Sequence, residues 1–283
     1  MLTKIFKVAG AVMAIIVVII GYVFADYINF KSGAVPVLMY HGIGYATTTE
    51  WGNLLVSPEL FEVHLKYLKD AGYRVVSVEE LGDRFSTNKA VEKYVAFTFD
   101  DGYENNYRYA YPLLKKYGFT ATFYIIRNAL GRDDYMSDEQ IKVMLKDGMK
   151  FGSHTMSHSN LTLIDKSQYV REIQGSKMLL EQRFGFDVES ISYPYGAYNE
   201  DVVKEVVGAR YKFGVAGKYG INTADSFNDS PYTMNRIGIY TDCAGDASAF
   251  AHTLERAYFV GYLRYRGIDL VEMKKIFKKH LTF

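Results

Sequence analysis

The chain has 283 residues, 49% of them hydrophobic and 23% charged, with a net charge of +1. That is the composition of an ordinary globular protein, and it gives no reason to expect a nucleic-acid partner. A single cysteine, Cys243, excludes an internal disulfide and a cysteine zinc cluster, and reads as a small incidental residue.

The N-terminus stands apart. Lys4 and Lys7 precede an uncharged apolar run over residues 8–24, about 26 Å as a helix and just enough to cross a bilayer. The lysines on its N-terminal side favour an N-inside, C-outside orientation. A cleaved signal peptide is the rival reading, because Val23-Phe24-Ala25 is a tolerable cleavage site. The run is long for a signal, so an uncleaved anchor is preferred, and either reading exports the remaining chain. Residues 1–32 are set apart as anchor and short linker, and residues 33–283 as one domain with a C-terminal helical tail.

From residue 34 onward strand and helix patterns alternate. Residues 35–41 read as a first strand ending in His41. Ser57 and Pro58 open a helix as N-cap and first helical residue, Phe61, Leu65 and Leu68 recur at helical spacing, and Gly72 stops it. Residues 73–78 and 94–99 are the next strands, and a helix over 107–117 ends at Gly118. Residues 119–126 form a strong strand. Ser137-Asp138-Glu139-Gln140 is a capping box that opens a further helix. A short strand at 150–153 follows, then the longest helix over 165–184, stopped by Gly185. Strands at 188–193, 211–216 and 233–239, with a helix over 199–207, complete the pattern. Repeated strand–helix units imply a parallel sheet with helices outside, and seven or eight of them predict a closed or partly closed (β/α) barrel.

Three clusters carry chemistry. The strand at 94–99 ends in Asp100-Asp101-Gly102. Side chains alternate along a strand, so the two acids share a side only if the backbone turns, and Gly102 permits a turn. One acid is then free to bind a metal and the other to move protons; an Asp-Gly turn that merely closes a strand is the plain alternative. The second cluster is Ser153-His154-Thr155-Met156-Ser157-His158, with two histidines at i and i+4 that can face one point from a helix or tight loop. Joined with Asp101 they make a two-histidine, one-carboxylate set with open positions, which suits zinc hydrolysis, although non-haem iron takes similar ligands. Ser153 or Thr155 could support these ligands from behind. The third is Ser192-Tyr193-Pro194-Tyr195-Gly196, where Pro194 and Gly196 fix a loop and the Tyr195 N–H could face a substrate oxygen. An aromatic strand-to-helix turn is its plain reading. The 25 tyrosines against one tryptophan, Trp51, supply aromatic faces of the kind that line sugar-binding grooves, although most belong to core or surface.

Thr98-Phe99-Asp100-Asp101-Gly102, then His154-Thr155-Met156-Ser157-His158, then Tyr193-Pro194-Tyr195-Gly196, in that order, resemble the NodB-homology polysaccharide deacetylases, carbohydrate esterase family four. The resemblance covers about residues 35–239. It implies a distorted (β/α) barrel of about seven strands. It implies Asp100 as general base and Asp101, His154 and His158 as ligands of a divalent metal, zinc before cobalt or nickel. A metal-activated water would attack an acetamide carbonyl, with the oxyanion held by the metal and the Tyr195 N–H, in a loop shared with Tyr193 and Pro194.

Three departures from the family pattern stand out. Ser192 replaces the usual arginine before the Pro-Tyr-Gly loop. The family's Asp-Trp motif has no match, since Trp51 is in the wrong place. No late apolar strand ends in histidine: His252 falls in a helical pattern and His280 in a basic tail. The first strand, however, ends Leu38-Met39-Tyr40-His41, which looks like that late motif moved to the N-terminus, as in the similar intercellular-adhesin type of poly-N-acetylglucosamine deacetylases. Neighbouring first and last strands of a closed barrel tolerate such permutation. His41 is therefore expected to be the general acid, carrying a proton near neutral pH; a capping or core histidine is the alternative. Arg236 is expected to support Asp100 or a ligand in place of the missing arginine, with a surface salt bridge as the other reading. The resemblance implies an enzyme that removes N-acetyl groups from a polymer of N-acetylglucosamine, poly-N-acetylglucosamine before peptidoglycan or a chitin-like oligomer, and the apolar run makes it membrane-anchored and outward-facing. A degenerate barrel that binds glycan without turnover is the reading from another class.

Overall fold

The computed structural model describes residues 2–45, 54–240 and 245–268. Trp51, Cys243, His280 and the tail past Ile268 lie outside the described residues. Seven parallel strands close into a ring, in the order Val37–Tyr40, Met234–Gly238, Phe213–Tyr219, Ser190–Ser192, Lys150–Ser153, Thr122–Ile125, Tyr94–Phe99 and back to Val37–Tyr40. An eighth, Arg74–Val76, pairs with the lower half of Tyr94–Phe99. The first and last strands of the ring are neighbours, with Ile237 beside Leu38 and Gly238 beside Met39.

Strand periodicity sorts the side chains into two cores. Val37, Tyr94, Ala96, Phe213, Val215 and Met234 form the inner one. Leu38, Tyr40, Phe97, Phe99, Phe123 and Ile237 belong to the outer one, packed under the surrounding helices. The helix Val78–Ser86, absent from the sequence reading, adds Val78, Leu81 and Phe85 to the inner cluster at the start of the strands and so closes the barrel floor.

Helix ends follow the local signals. Ser57 caps Pro58–Asp70 through Leu60 N at 3.2 Å, and Ser137 and Gln140 complete the capping box of Asp138–Lys146. The long helix expected over 165–184 differs: a 3₁₀ turn, Lys166–Gln168, leads into a π-turn, Val170–Gly175, and only Ser176–Phe184 is α-helical. The expected helix over 107–117 likewise begins as a π-turn, Asn106–Ala110. Both insertions swing a polar side chain, Glu172 or Asn106, inward toward the mouth of the barrel, a tertiary demand that helix periodicity does not reveal.

The longest helix is the N-terminal one, Leu2–Ser32. Its stretch Val12–Ser32 has a mean hydropathy of 2.1, long and apolar enough to serve as a membrane span or a signal sequence. It joins the barrel at the floor, where the strand Val37–Tyr40 begins, and its last turns pack against the helix Ala247–Tyr265.

Candidate active site

The inner row of each strand continues into its C-terminal end, and that row builds the site. Tyr94, Ala96 and Thr98 face inward, so Asp100 does as well. The same parity brings His41 after Met39, His154 after Gly152, Ser192 after Ser190, and Arg236 after Met234. The result is a cavity of ≈ 610 Å³ lined by His41, Asp100, Asp101, His154, His158 and Arg236.

Asp101 breaks the parity. Its φ is 72° and that of Gly102 is 81°, so the chain turns at the aspartate itself and both acids reach one cavity. A side chain at Gly102 would meet Ile125 at 2.8 Å. Thr155, His158 and Tyr195 are also left-handed, at 65°, 61° and 59°. Such backbone conformations cost about 1–3 kcal/mol each, and here they fall on the loops that aim site groups.

Asp101 Oδ1 lies 3.4 Å from Nε2 of both His154 and His158. One ligand atom from each of the three lies within 4.8 Å of the others. The His154 Nδ1–H donates to the Ser192 carbonyl at 2.8 Å, which leaves Nε2 as the free lone pair facing Asp101. That is the tautomer a metal ligand needs, fixed from behind by a backbone acceptor. The residues therefore fit a divalent cation as a potential triad. The histidines converge from a tight turn rather than a helix. That turn is braced by Glu172, whose buried carboxylate accepts from Ser157 N at 3.0 Å and Ser157 Oγ at 2.7 Å. The Glu172 carbonyl accepts from Met156 N at 3.1 Å. Tyr103 donates its hydroxyl to Asp101.

Asp100 is held differently. Arg236 grips it with two parallel bonds, Nη1 to Oδ1 and Nη2 to Oδ2, each 2.8 Å. The remaining guanidinium donors reach Ala216 O at 2.9 Å, Thr98 Oγ1 at 3.2 Å and Ser192 Oγ at 2.9 Å. Arg236 is 1% exposed, so the surface salt-bridge reading is corrected: the pair is buried. Burial pushes the Asp100 carboxyl up. The Arg236 guanidinium, aided by His154 and His41, outweighs that and holds it well below the ordinary carboxylate range. Ser192, small where the family has arginine, bonds to an arginine that comes from another strand.

His41 lines the same cavity, and its backbone carbonyl accepts from Asn106 Nδ2 at 2.8 Å. Its Nδ1 is buried without a hydrogen-bond partner. Burial pushes the imidazole below its ordinary pKa, and Asp100 and Asp101 offset this only in part. The proton expected there near neutral pH is therefore held less firmly than on a free histidine. His252 is exposed on Ala247–Tyr265, away from the cavity.

The third cluster divides. Tyr195 is 72% exposed at the rim, with its ring 4.8 Å from that of His158. Pro194 is buried and does not line the cavity. Tyr193 points away into the outer core, where its hydroxyl donates to Tyr232 O at 2.9 Å. Sequence reading missed Tyr103, Arg132, Tyr135 and Tyr240, which complete the cavity wall. Tyr103 and Tyr135 stack with ring centroids 5.2 Å apart. Only Tyr103, directly after Asp-Asp-Gly, carried any sequence signal; the others come from loops remote in the chain.

Fold and site together define a (β/α) barrel enzyme whose mouth holds a potential metal-binding triad beside an ionised, arginine-clamped aspartate. The polysaccharide deacetylase family model matches residues 87–214. YxkH of Bacillus subtilis, which carries the name of a polysaccharide deacetylase, is 35% identical over 218 residues, 77% of this chain and 75% of that protein. The poly-β-1,6-N-acetyl-D-glucosamine N-deacetylase of Staphylococcus aureus is 28% identical over 257 residues, 81% of this chain and 84% of that one. Among solved structures, the Streptococcus pyogenes deacetylase PplD in complex with acetate superposes with a TM-score of 0.72 at 32% identity, covering 78% of this chain and 97% of that one. The chain belongs to the polysaccharide deacetylase family.

Proposed function

We propose that this protein is a metal-dependent hydrolase that removes N-acetyl groups from N-acetylglucosamine residues of an extracellular polymer, poly-β-1,6-N-acetylglucosamine before peptidoglycan or a chitin-like oligomer. One observation carries the reading: the triad, the clamped aspartate and His41 converge on one cavity mouth. The similarity to the staphylococcal enzyme over most of both chains supports the polymer. The rim tyrosines 103, 135, 195 and 240 offer flat apolar faces of the kind that stack on sugar rings.

Asp101, His154 and His158 would hold the cation, and the nitrogen and oxygen donors suit Zn²⁺. When bound, it supplies a Lewis acid that polarises the amide carbonyl and acidifies a water. Asp100, kept ionised and aimed by Arg236, accepts the proton of the attacking water. The Tyr195 N–H, aimed by its left-handed backbone, donates to the developing oxyanion. His41 delivers a proton to the departing nitrogen, and its lowered pKa makes the proton easy to give. The N-terminal helix stays uncleaved and holds the barrel outside the membrane.

Acetate release from purified polymers by the full chain, with and without added Zn²⁺, tests this. Zinc-dependent release, fastest on the β-1,6 polymer, is expected. Binding of polymer with no acetate would establish the degenerate glycan-binding reading instead.

A further inference from the structure

The helix Ala247–Tyr265 runs antiparallel to the last turns of the N-terminal helix. Lys31 pairs with Glu255 at 2.6 Å. Further toward the span, Asp26 accepts from Tyr262 OH at 2.6 Å and Arg266 Nε at 2.8 Å. Tyr27 and Phe30 fill the space between with Tyr262, their ring centroids 5.4 and 5.7 Å from its own. The C-terminal end of Ala247–Tyr265 therefore points down the anchor, level with Asp26.

That register fixes a depth. The apolar run ends at Phe24, two residues before Asp26, which is about 3 Å of helical rise. The headgroup layer on each side of a bilayer's ~30 Å hydrocarbon core is thicker than that, roughly 5–7 Å. If residues 8–24 span the core, the helix end beside Asp26 sits inside the headgroups. The side chains there suit that layer. Tyr265 is 56% exposed and Ile268 37%, beside Arg264 and Arg266, with Phe259, 53% exposed, two turns above. Aromatic and arginine side chains are the ordinary interfacial anchors.

We propose that the last turns of the helix Ala247–Tyr265, through Ile268, are a membrane-contacting surface whose partner is the outer phospholipid headgroup layer. This rests on residues 8–24 being an uncleaved anchor. It seats the barrel floor on the bilayer, with Tyr265 and Ile268 in the interface and Phe259 at its upper edge. The floor being down, the catalytic mouth at the opposite end of the strands opens away from the membrane, toward polymer already outside. The Asp26–Arg266 pair and the packed aromatics make the joint a stiff stalk rather than a tether.

The test uses the full chain with Trp51→Phe and one tryptophan returned at a time: Phe24→Trp, Phe259→Trp, Tyr265→Trp, Ile268→Trp or Leu163→Trp. Leu163 is 82% exposed in the loop after His158, at the mouth. Each is reconstituted in phosphatidylcholine–phosphatidylglycerol vesicles containing lipids brominated near the headgroup. The expected result is loss of emission at positions 24, 265 and 268, a smaller loss at 259 and none at 163. Quenching at 24 without quenching at 265 and 268 overturns the proposal while leaving the anchor intact. No quenching at 24 removes the anchor reading, and this proposal with it. Shielding of 265 and 268 from an aqueous quencher without lipid quenching would assign the face to a second copy of the chain and equally overturn it.

Discussion

Arg236 and Asp100 are the residues on which the site's electrostatics turn. Both are buried, at 1% and 3% exposure, and every Arg236 donor has an acceptor. Removing one partner strands the other charge, which costs about 3–5 kcal/mol. Asp100→Asn and Arg236→Met are each expected to lower stability by that order in chemical denaturation. The double variant should recover about 0.5–3 kcal/mol relative to the sum; strict additivity would mean that the pair is not coupled. The pH dependence has a fixed sign. The Asp100 carboxyl sits below its ordinary 3.8 in the fold, so in acid the unfolded chain binds more protons. Its stabilisation is full above about pH 4 and is lost as pH falls toward the depressed value, a limb that Asp100→Asn should flatten. The role proposed for His41 is read in rate rather than in stability. His41→Ala is expected to cut turnover by ~10²–10⁴-fold with bound-metal content unchanged, and to remove the alkaline fall of kcat/KM. Wild-type turnover in that variant would mean that the acid lies elsewhere.

At the level of elements, two local irregularities position the chemistry. The π-turn Val170–Gly175 adds a residue to the helix and turns Glu172 onto the loop that carries both histidines. Glu172→Ala removes the acceptor of Ser157 N and one partner of Ser157 Oγ, which loosens the turn that carries His158. Metal affinity, measured by chelator competition, should fall by about 10–100-fold, with Glu172→Gln in between. Unchanged affinity would reduce Glu172 to a helix contact. The loop bearing Tyr195 depends on a backbone crossing: a Cβ at Gly196 would lie 2.4 Å from Gly217 Cα. Gly196→Ala therefore has to move one of two strand ends. It should cost at least about 1–3 kcal/mol and displace the Tyr195 N–H, which kinetics would register as a fall in kcat larger than any rise in KM.

Across the whole molecule, stability and chemistry are separated along the barrel axis. The inner and outer apolar clusters lie below and around the mouth, and none of the triad belongs to them. A chelator should then abolish acetate release while leaving the far-ultraviolet circular dichroism intact. Unfolding stability should drop only by the binding linkage, ~2.7 kcal/mol at a metal concentration a hundredfold over Kd. Unfolding on chelation would make the ion structural instead. Phe99→Ala, in the outer cluster, should do the reverse, costing about 3–5 kcal/mol with the metal affinity of the folded fraction preserved.

Features that depend on near neighbours were legible along the chain. Continuous apolar runs rich in β-branched and aromatic residues marked the strands, buried on both faces, the Ser57 and Ser137 caps marked helix starts, and the turn at Asp101 and Gly102 was prefigured by two acids before a glycine. The potential triad was legible because Asp101, His154 and His158 follow strand ends, where a closed parallel barrel gathers side chains at one mouth. The remaining features follow from closure of the barrel. Arg236 meets Asp100 across 136 residues of chain, a contact set by ring closure that no local pattern encodes. Tyr193 faces outward because its parity is opposite to that of Ser192. The π-turns at Asn106 and Glu172, the floor helix Val78–Ser86 and the antiparallel seat of the anchor on Ala247–Tyr265 answer to partners distant in sequence. Side-chain periodicity within a segment reports which face is buried, and only the closed barrel fixes what that face is buried against.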